Sequence, residues 1–543
     1  MTQDVPMNAS GPVSGAETVD AVVIGAGHNG LVAANVLADA GWRVVALEAS
    51  PAPGGAVRSA ELTVPGFVSD VASAFYPLGA ASPVLAELHL EQYGLRWRHA
   101  PEVLAHVTPD DRSVVLSRDL ERTAAAVSAW APRDGAAWVA MVEQWRRIRD
   151  DLLETFLRPF PPVRAGSRLA RRLGPAEGLR LARMITLPAH RFGEENFRGD
   201  GARLLLAGNA MHTDLGPDAA GGAVFGWLLS MLGQDVGFPV PAGGAGALTD
   251  ALVRRLIARG GRVDCDRRVA EVLVRGGRAV GVRDRAGNPV RAGRAVLADV
   301  TAPVLYRELV GEEHLPPRFV SDLDRFEWDV STVKVDWALE HPIPWTAPGV
   351  DGAGTVHLGA DLAGLRGFAA DLAAGRVPEE PFLLLGQMTT ADPSRSPAGT
   401  ESAWAYTHIP RGAGWDDETV GRYADRIERT IERNAPGFRS SVLARHVQGP
   451  RDLQAGNPSL VDGAINGGTV AIHQQLFFRP VPGLGRADTP VEGLFLAGSS
   501  AHPGGAVHGA PGANAARAAL AASGHGGRIY RSAVRRMQDR LYR

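Results

Sequence analysis

At 543 residues the chain exceeds what one hydrophobic core usually supports, so two domains are the natural expectation. Hydrophobic residues at 45% and charged residues at 21% mark a globular protein, and a net charge of −2 argues against a nucleic-acid partner. The single cysteine, Cys265, excludes both an internal disulfide and a dithiol redox pair.

The start of the chain lacks a basic cluster and an apolar core. Residues 1–18 therefore read as a flexible tail, not as a signal or transit peptide. No run reaches the ~18 apolar residues of a membrane span. A cytoplasmic protein is expected, with contact at a membrane surface left open. From Val19 the pattern is strand, glycine turn, helix, strand. Gly25, Gly27 and Gly30 form G-x-G-x-x-G straight after the apolar run Ala21 to Ile24. Such a turn, with Ala26 and Asn29 between its glycines, lets backbone approach a pyrophosphate at a helix N-terminus. Glu48 follows the second apolar run, Trp42 to Leu47, where a carboxylate suits ribose hydroxyls and repels a 2′-phosphate, so NADP is disfavoured. Ala49 and a second glycine pair, Gly54 and Gly55, come next with Arg58. A nicotinamide-only site has no use for that pair, whereas the ribityl-pyrophosphate arm of FAD lies along such a loop.

Residues 71–240 change character, being rich in Trp, Arg and Pro, with helical stretches such as Leu120 to Leu157. A helix over Ala247 to Ala258 is followed by short β-branched runs between glycine turns, the pattern of a strand meander. The chain is again mixed from Thr301 to about Gly485, with strands over Thr332 to Leu339 and Pro381 to Met388. Gly493 to Ala522 reads as strand, glycine loop and alanine-rich helix. The expected fold class is α/β: a discontinuous Rossmann-like FAD-binding domain (19–70, 241–305 and 489–525) with an inserted α+β substrate domain (71–240 and 306–488). A basic amphipathic helix, 526–543, ends the chain.

The stretches VVIGAGHNGL, EASPAPGGAVRS, FPVPAGGAGALTDAL and LFLAGSSAHPGGAVHGAPGANAA resemble, nearly along the whole chain, the FAD-dependent phytoene desaturase-related oxidoreductases, a branch of the flavin amine oxidase group. His28-Asn29 and Ala501 to Gly505 are most similar to the pyridine nucleotide-disulfide oxidoreductase domain-containing protein 2-like subfamily. The resemblance implies that Gly25, Gly27, Gly30 and the backbone near Asn29 cradle the FAD pyrophosphate and that Glu48 holds the ribose. Gly54, Gly55 and Arg58 are implied along the ribityl arm, and Val269 pairs its backbone with adenine. The resemblance further implies that Gly498 and Ser499 would meet the pyrophosphate and ribityl chain and that the helix start His508, Gly509, Ala510 would face the pyrimidine edge of the flavin. Ser499 departs from the acidic residue that many flavoproteins carry after that glycine.

Lys334 is the only lysine among 57 basic side chains. In the group that the chain resembles, a lysine on a substrate-domain strand commonly holds a water near flavin N5, and arginine is too bulky and too hard to deprotonate to replace it. That makes Lys334 the catalytic candidate, against a lysine left at the surface. His28, His502 and His508 read as packing residues beside cofactor glycines. His212, Asp214 and Asp218 have a loop between them and no metal is expected. Trp337, Trp345, Trp404 and Tyr406 suit either a core or an apolar pocket. Tyr530, Val534, Met537 and Leu541 share a helical face, and Pro161 to Phe192 is basic and apolar; docking on the protein and lying on a membrane both fit. The expected function is an FAD-dependent oxidoreductase that desaturates or isomerises a hydrophobic, isoprenoid-like small molecule. An amine oxidase using oxygen and a non-catalytic FAD-stabilised scaffold are the alternatives. Substrate identity, electron acceptor and oligomeric state are not legible.

Overall fold

Two seven-stranded sheets organise the chain in the computed structural model, which describes residues 17–412 and 414–542. Most of the expected tail, residues 1–16, and Arg543 at the end of the basic helix lie outside the described residues. In the first sheet, strand Glu17–Ile24 pairs in parallel with Val44–Leu47 on one side and Pro289–Ala298 on the other. Arg262–Asp264 and Leu494–Leu496 extend it, again in parallel. Val44–Leu47 is buried throughout, as a strand covered on both faces requires. Val269–Arg275 and Arg278–Asp284 add an antiparallel meander at one edge.

The register places Asp264, Leu47, Ile24, Ala298 and Leu496 in one row across the five parallel strands. Their carboxyl ends therefore open on a single edge, where sheets of this kind bind ligands. Helices His28–Asp39, Gly246–Ala258 and Ala510–Ser523 cover one face in a shared apolar core. The first and last of these touch backbone to backbone. A side chain at Gly512 would collide with the Asn29 carbonyl, so only glycine permits the approach.

The second sheet runs in the order Val442–Gln448, Ser331–Leu339, Glu401–Ile409, Leu383–Gln387, Ala353–Leu358, Glu102–Val107, Ser113–Leu116. It is antiparallel except for Ala353–Leu358 beside Glu102–Val107. Helix Asp417–Asn434 lays its apolar stripe on one face, with Asp416 accepting from the Thr419 N–H as its cap. Helices Asp134–Leu157, Asp200–Ala210 and Gly222–Asp235 share a core with the other end of the sheet.

The stretch Leu120 to Leu157 is two helices, Leu120–Ser128 and Asp134–Leu157, not one run. Helix Val163–Met184 breaks at Gly174, whose φ of 68° precedes Pro175. The last helix, Gly527–Tyr542, buries Val534 and Tyr542, and the Tyr542 ring meets Phe319 edge-on at 5.1 Å. The Tyr530 hydroxyl donates to Asp488, while Met537 and Leu541 remain exposed. Among the described residues no helix is long and apolar enough to cross a membrane.

Candidate functional site

A cavity of about 630 Å³ starts at the carboxyl edge of the first sheet and runs to the second sheet. Its first part is the glycine turn. Gly25 takes φ 87°, and its N–H donates to the Leu47 carbonyl. Glu48 ties the turn together: Oε2 accepts from Ala26 N–H at 2.8 Å and Oε1 from Ser50 N–H at 2.9 Å. Glu48 and Ala49 both line the cavity. Each carboxylate oxygen keeps a further lone pair for a hydroxyl. Gly54 donates to the Ala26 carbonyl, so the second glycine pair is stitched to the first. Gly55 is on the cavity wall; Arg58 is not, and spends its guanidinium on the carbonyls of Gly55 and Gly456. Asn29 is buried behind the turn. Val269, at the start of its strand, lines the cavity near Glu48 and Ser50.

Asp299 is a wall residue that the sequence reading missed. It follows the strand Pro289–Ala298, and its Oδ2 accepts from the Gly30 N–H at 2.8 Å. Gly30 is in the first turn of its helix, whose N–H groups have no intrahelical partner, so Asp299 caps that helix from 269 residues away. A side chain at Gly27 would stand 2.7 Å from the same oxygen. Burial, with a smaller push from Glu48, raises the Asp299 carboxyl to about 7 despite the Gly30 hydrogen bond.

The C-terminal glycine loop reaches the cavity through Ser499, Pro503, Gly505, Ala506 and Val507. Gly498 is packed on Val300. His508 and Ala510 are buried, and the Ala510 N–H is taken by His508 Nδ1 at 3.1 Å; Gly509, at φ 72°, precedes the helix. Thus residues 505–507, not 508–510, form the wall here. Two buried charges hold the neighbouring loop. Arg479 donates to the carbonyls of Ser499, Thr469 and Asn466, and Asp329 accepts from the N–H groups of Ile465, Asn466 and Gly468. Burial lowers the Arg479 guanidinium to about 10 and raises the Asp329 carboxyl.

The far part of the cavity is an apolar chamber. Phe75, Leu78, Leu228, Phe238, Trp404 and Tyr406 line it. Trp404 and Tyr406 lie near parallel with centroids 5.9 Å apart. Trp337 faces the opposite core, and Trp345 donates to Gln387. Thr332 and Lys334 also line the chamber, from strand Ser331–Leu339. The Lys334 ammonium is engaged by both carboxylate oxygens of Asp336, two positions on along the same strand face. Both are buried; burial pushes the Asp336 carboxyl up, and Lys334 opposes that. Asp70 and Arg395 form a second fully buried pair.

Of the three residues weighed as a metal set, Asp214 accepts from the Val470 N–H, Asp218 pairs with Arg366, and His212 bonds to His357. Among the described residues no group of three or more His, Cys, Asp or Glu side chains has metal-holding geometry. His28, His502 and His508 are all held neutral, their imidazoles lowered to about 4, 4 and 3 by burial.

The cradle fits a flavin dinucleotide. Bare glycine backbone faces the cavity at Gly25, Gly27 and Gly55, and Glu48 stands at the far end of the turn. Comparison with known proteins agrees. The profile of the family described as flavin containing amine oxidoreductase matches residues 30–520. Pyridine nucleotide-disulfide oxidoreductase domain-containing protein 2 of Rattus norvegicus is 30% identical, over 92% of each chain. The zeta-carotene-forming phytoene desaturase of Myxococcus xanthus is 27% identical, over 89% of this chain and 90% of that one. Among solved structures, an oxidoreductase from Methanosarcina mazei superposes with a TM-score of 0.62 at 17% identity, covering 92% of this chain and 99% of the other. Putrescine oxidase bound to putrescine gives 0.57 at 16%, covering 96% and 100%, so the fold is shared.

Proposed function

The chain belongs to the flavin-containing amine oxidoreductase family and is an FAD-dependent oxidoreductase, and from that premise we propose that it desaturates or isomerises a hydrophobic, isoprenoid-like molecule. The observation that carries this reading is the apolar chamber joined to the dinucleotide cradle in one cavity. FAD, when bound, supplies the hydride acceptor. The glycine turn and Glu48 hold its adenosine end, Val269 borders the adenine, and Ser499 with residues 505–507 lies along the remainder. The chamber excludes water and fixes the substrate by shape, since an apolar molecule offers little else to grip. Lys334 brings the one ammonium to that wall.

The phytoene desaturase relative acts, by its name, on an isoprenoid, which supports the substrate class. Oxidation of an amine is the second reading, favoured by the adjacent rings of Trp404 and Tyr406. The protein works in the cytoplasm and meets membranes through helix Val163–Met184, where Val163 and Leu179 are exposed among arginines.

The test is anaerobic. Lipophilic alkenes, alcohols and amines are added in turn to the yellow protein and the flavin absorbance is followed. Bleaching by an apolar alkene carries the proposal. Bleaching by amines alone, with hydrogen peroxide released on aeration, replaces it with amine oxidation.

A further inference from the structure

Asp299 stands where the two glycine loops of the cradle meet. It follows strand Pro289–Ala298, which lies between Glu17–Ile24 and Leu494–Leu496, and its N–H donates to the Ile24 carbonyl. A Cβ at Gly27 would lie 2.7 Å from Asp299 Oδ2, and one at Gly498 would lie 3.2 Å from Oδ1. The carboxyl is thus wedged between the turn after the first strand and the loop after the last, and the residue lines the cavity.

Its charge is at odds with that place. The pyrophosphate of FAD is an anion, and the cradle offers it bare backbone at a helix N-terminus. Oδ2 of Asp299 already takes one of that helix's free donors, the Gly30 N–H. Burial, the Gly30 N–H and Glu48 are the influences on the carboxyl, and no cation is among them. An ionised Asp299 would therefore set a further negative charge, without a counter-ion, against the anion that the loops receive. A neutral acid would do the reverse. With Oδ2 accepting from Gly30, the proton belongs on Oδ1, which then faces the cradle as a donor.

We propose that Asp299 holds FAD as the neutral acid and takes up one proton from solvent when the cofactor binds. Asp299 is then a positioning residue for the cofactor, and its proton links flavin retention to pH.

The groups around the turn leave Asp299 as the titrating member. His28 lines the same cavity from the first turn of its helix and is held neutral by burial, at about 4; His508, behind the C-terminal loop, is held at about 3. Cys265 feels Glu48 and is pushed up to about 11, chiefly by burial, so it stays a thiol. Glu48 spends its two oxygens on the N–H groups of Ala26 and Ser50 and repels a charge on Asp299. Burial and that repulsion bring Asp299 to about 7, and a neighbouring anion acts in the same direction. The sign follows: affinity for FAD is fully present below this range and falls as the pH rises through it.

Two measurements on the full-length yellow protein decide. In the first, flavin released on dilution is followed by fluorescence between pH 6 and pH 8. The dissociation constant of the parent should rise about tenfold, the effect of one proton bound over one pH unit. Asp299→Asn keeps an acceptor for Gly30 and a donor for the cofactor at every pH. Its dissociation constant should stay level and lie below that of the parent at pH 8. A level profile in the parent overturns the proposal, since a carboxylate that only caps the helix gives no such slope. In the second, infrared spectra of the two FAD-loaded proteins are subtracted at pH 7. The difference should contain the carbonyl stretch of a protonated carboxyl. A carboxylate band in its place overturns the proposal. Should Asp299→Asn fail to fold, the parent's release profile decides alone, because free FAD has no group that titrates between about pH 6 and pH 8.

Discussion

Replacing Lys334 by methionine tests the pair that the structure reveals behind the catalytic candidate. Met keeps most of the stem and removes the ammonium. Asp336, with no exposed surface, then loses its cation. Breaking a buried ion pair from one side costs about 3–5 kcal/mol, because the remaining charge has neither water nor partner. The carboxyl is already pushed up by burial, and Lys334 is its largest opposing influence. Without Lys334 its folded pKa rises further above the unfolded value. The variant should therefore be closest to parent stability at low pH and lose stability as the pH rises. Lys334→Met with Asp336→Asn removes both charges and should recover to within about 1–2 kcal/mol of the parent. Urea unfolding of the parent, both single variants and the double variant measures the coupling, which should exceed about 2 kcal/mol. The double variant also isolates the chemistry: if the ammonium acts in the chamber, FAD content survives while flavin reoxidation by oxygen slows ~10- to 1000-fold. A single variant as stable as the double one at pH 8 would refute the pairing argument.

Asp299→Asn should be stabilising at high pH. The folded carboxyl, at about 7, lies above its unfolded value, so the parent loses stability as the pH rises through that range. Cavity solvent softens the penalty, and the gap between variant and parent should widen by on the order of 2 kcal/mol from pH 5 to pH 8 in urea melts; a constant gap refutes it. Gly27→Val should yield colourless protein, since the new side chain meets Asp299 and fills the cradle; a variant with full flavin content would remove the turn from the binding site.

The nucleotide half was legible because its signals are local. Gly25 through Gly30 and then Glu48 arise within one strand-turn-helix-strand unit, and the hydrogen bonds from Ala26 and Ser50 to Glu48 stay inside it. Asp299 was not legible. It reaches Gly30 from 269 positions away, and nothing in the meander marks it as a cap. The loop held by Arg479 and Asp329 was hidden for the same reason. The C-terminal helix shows the limit of periodicity. Its spacing groups Tyr530, Val534, Met537 and Leu541, yet only contact with Asp488 and Phe319 distinguishes the docked residues from the exposed ones. At the helix start after Gly509, His508 turns its Nδ1 to the Ala510 N–H and both residues are buried, so the cavity wall falls to residues 505–507.

The chamber did leave a trace in the sequence, in the alternation of one strand. Thr332, Lys334 and Asp336 interleave with Val333, Val335 and Trp337. A solvated sheet face would produce the same pattern, but every residue of Ser331–Leu339 is buried. The partner strand repeats it, with Trp404, Tyr406 and His408 on one face and Ala403, Ala405 and Thr407 on the other. Polar groups buried on one strand face must be paired or must line a cavity. Here both happen: Lys334 is paired with Asp336 and also stands on the chamber wall. A lone lysine in an arginine-rich chain drew attention for its rarity. The rarity did not reveal its partner: the aspartate two positions later shares the strand face, and only the burial of that strand distinguishes the pair from two solvated charges.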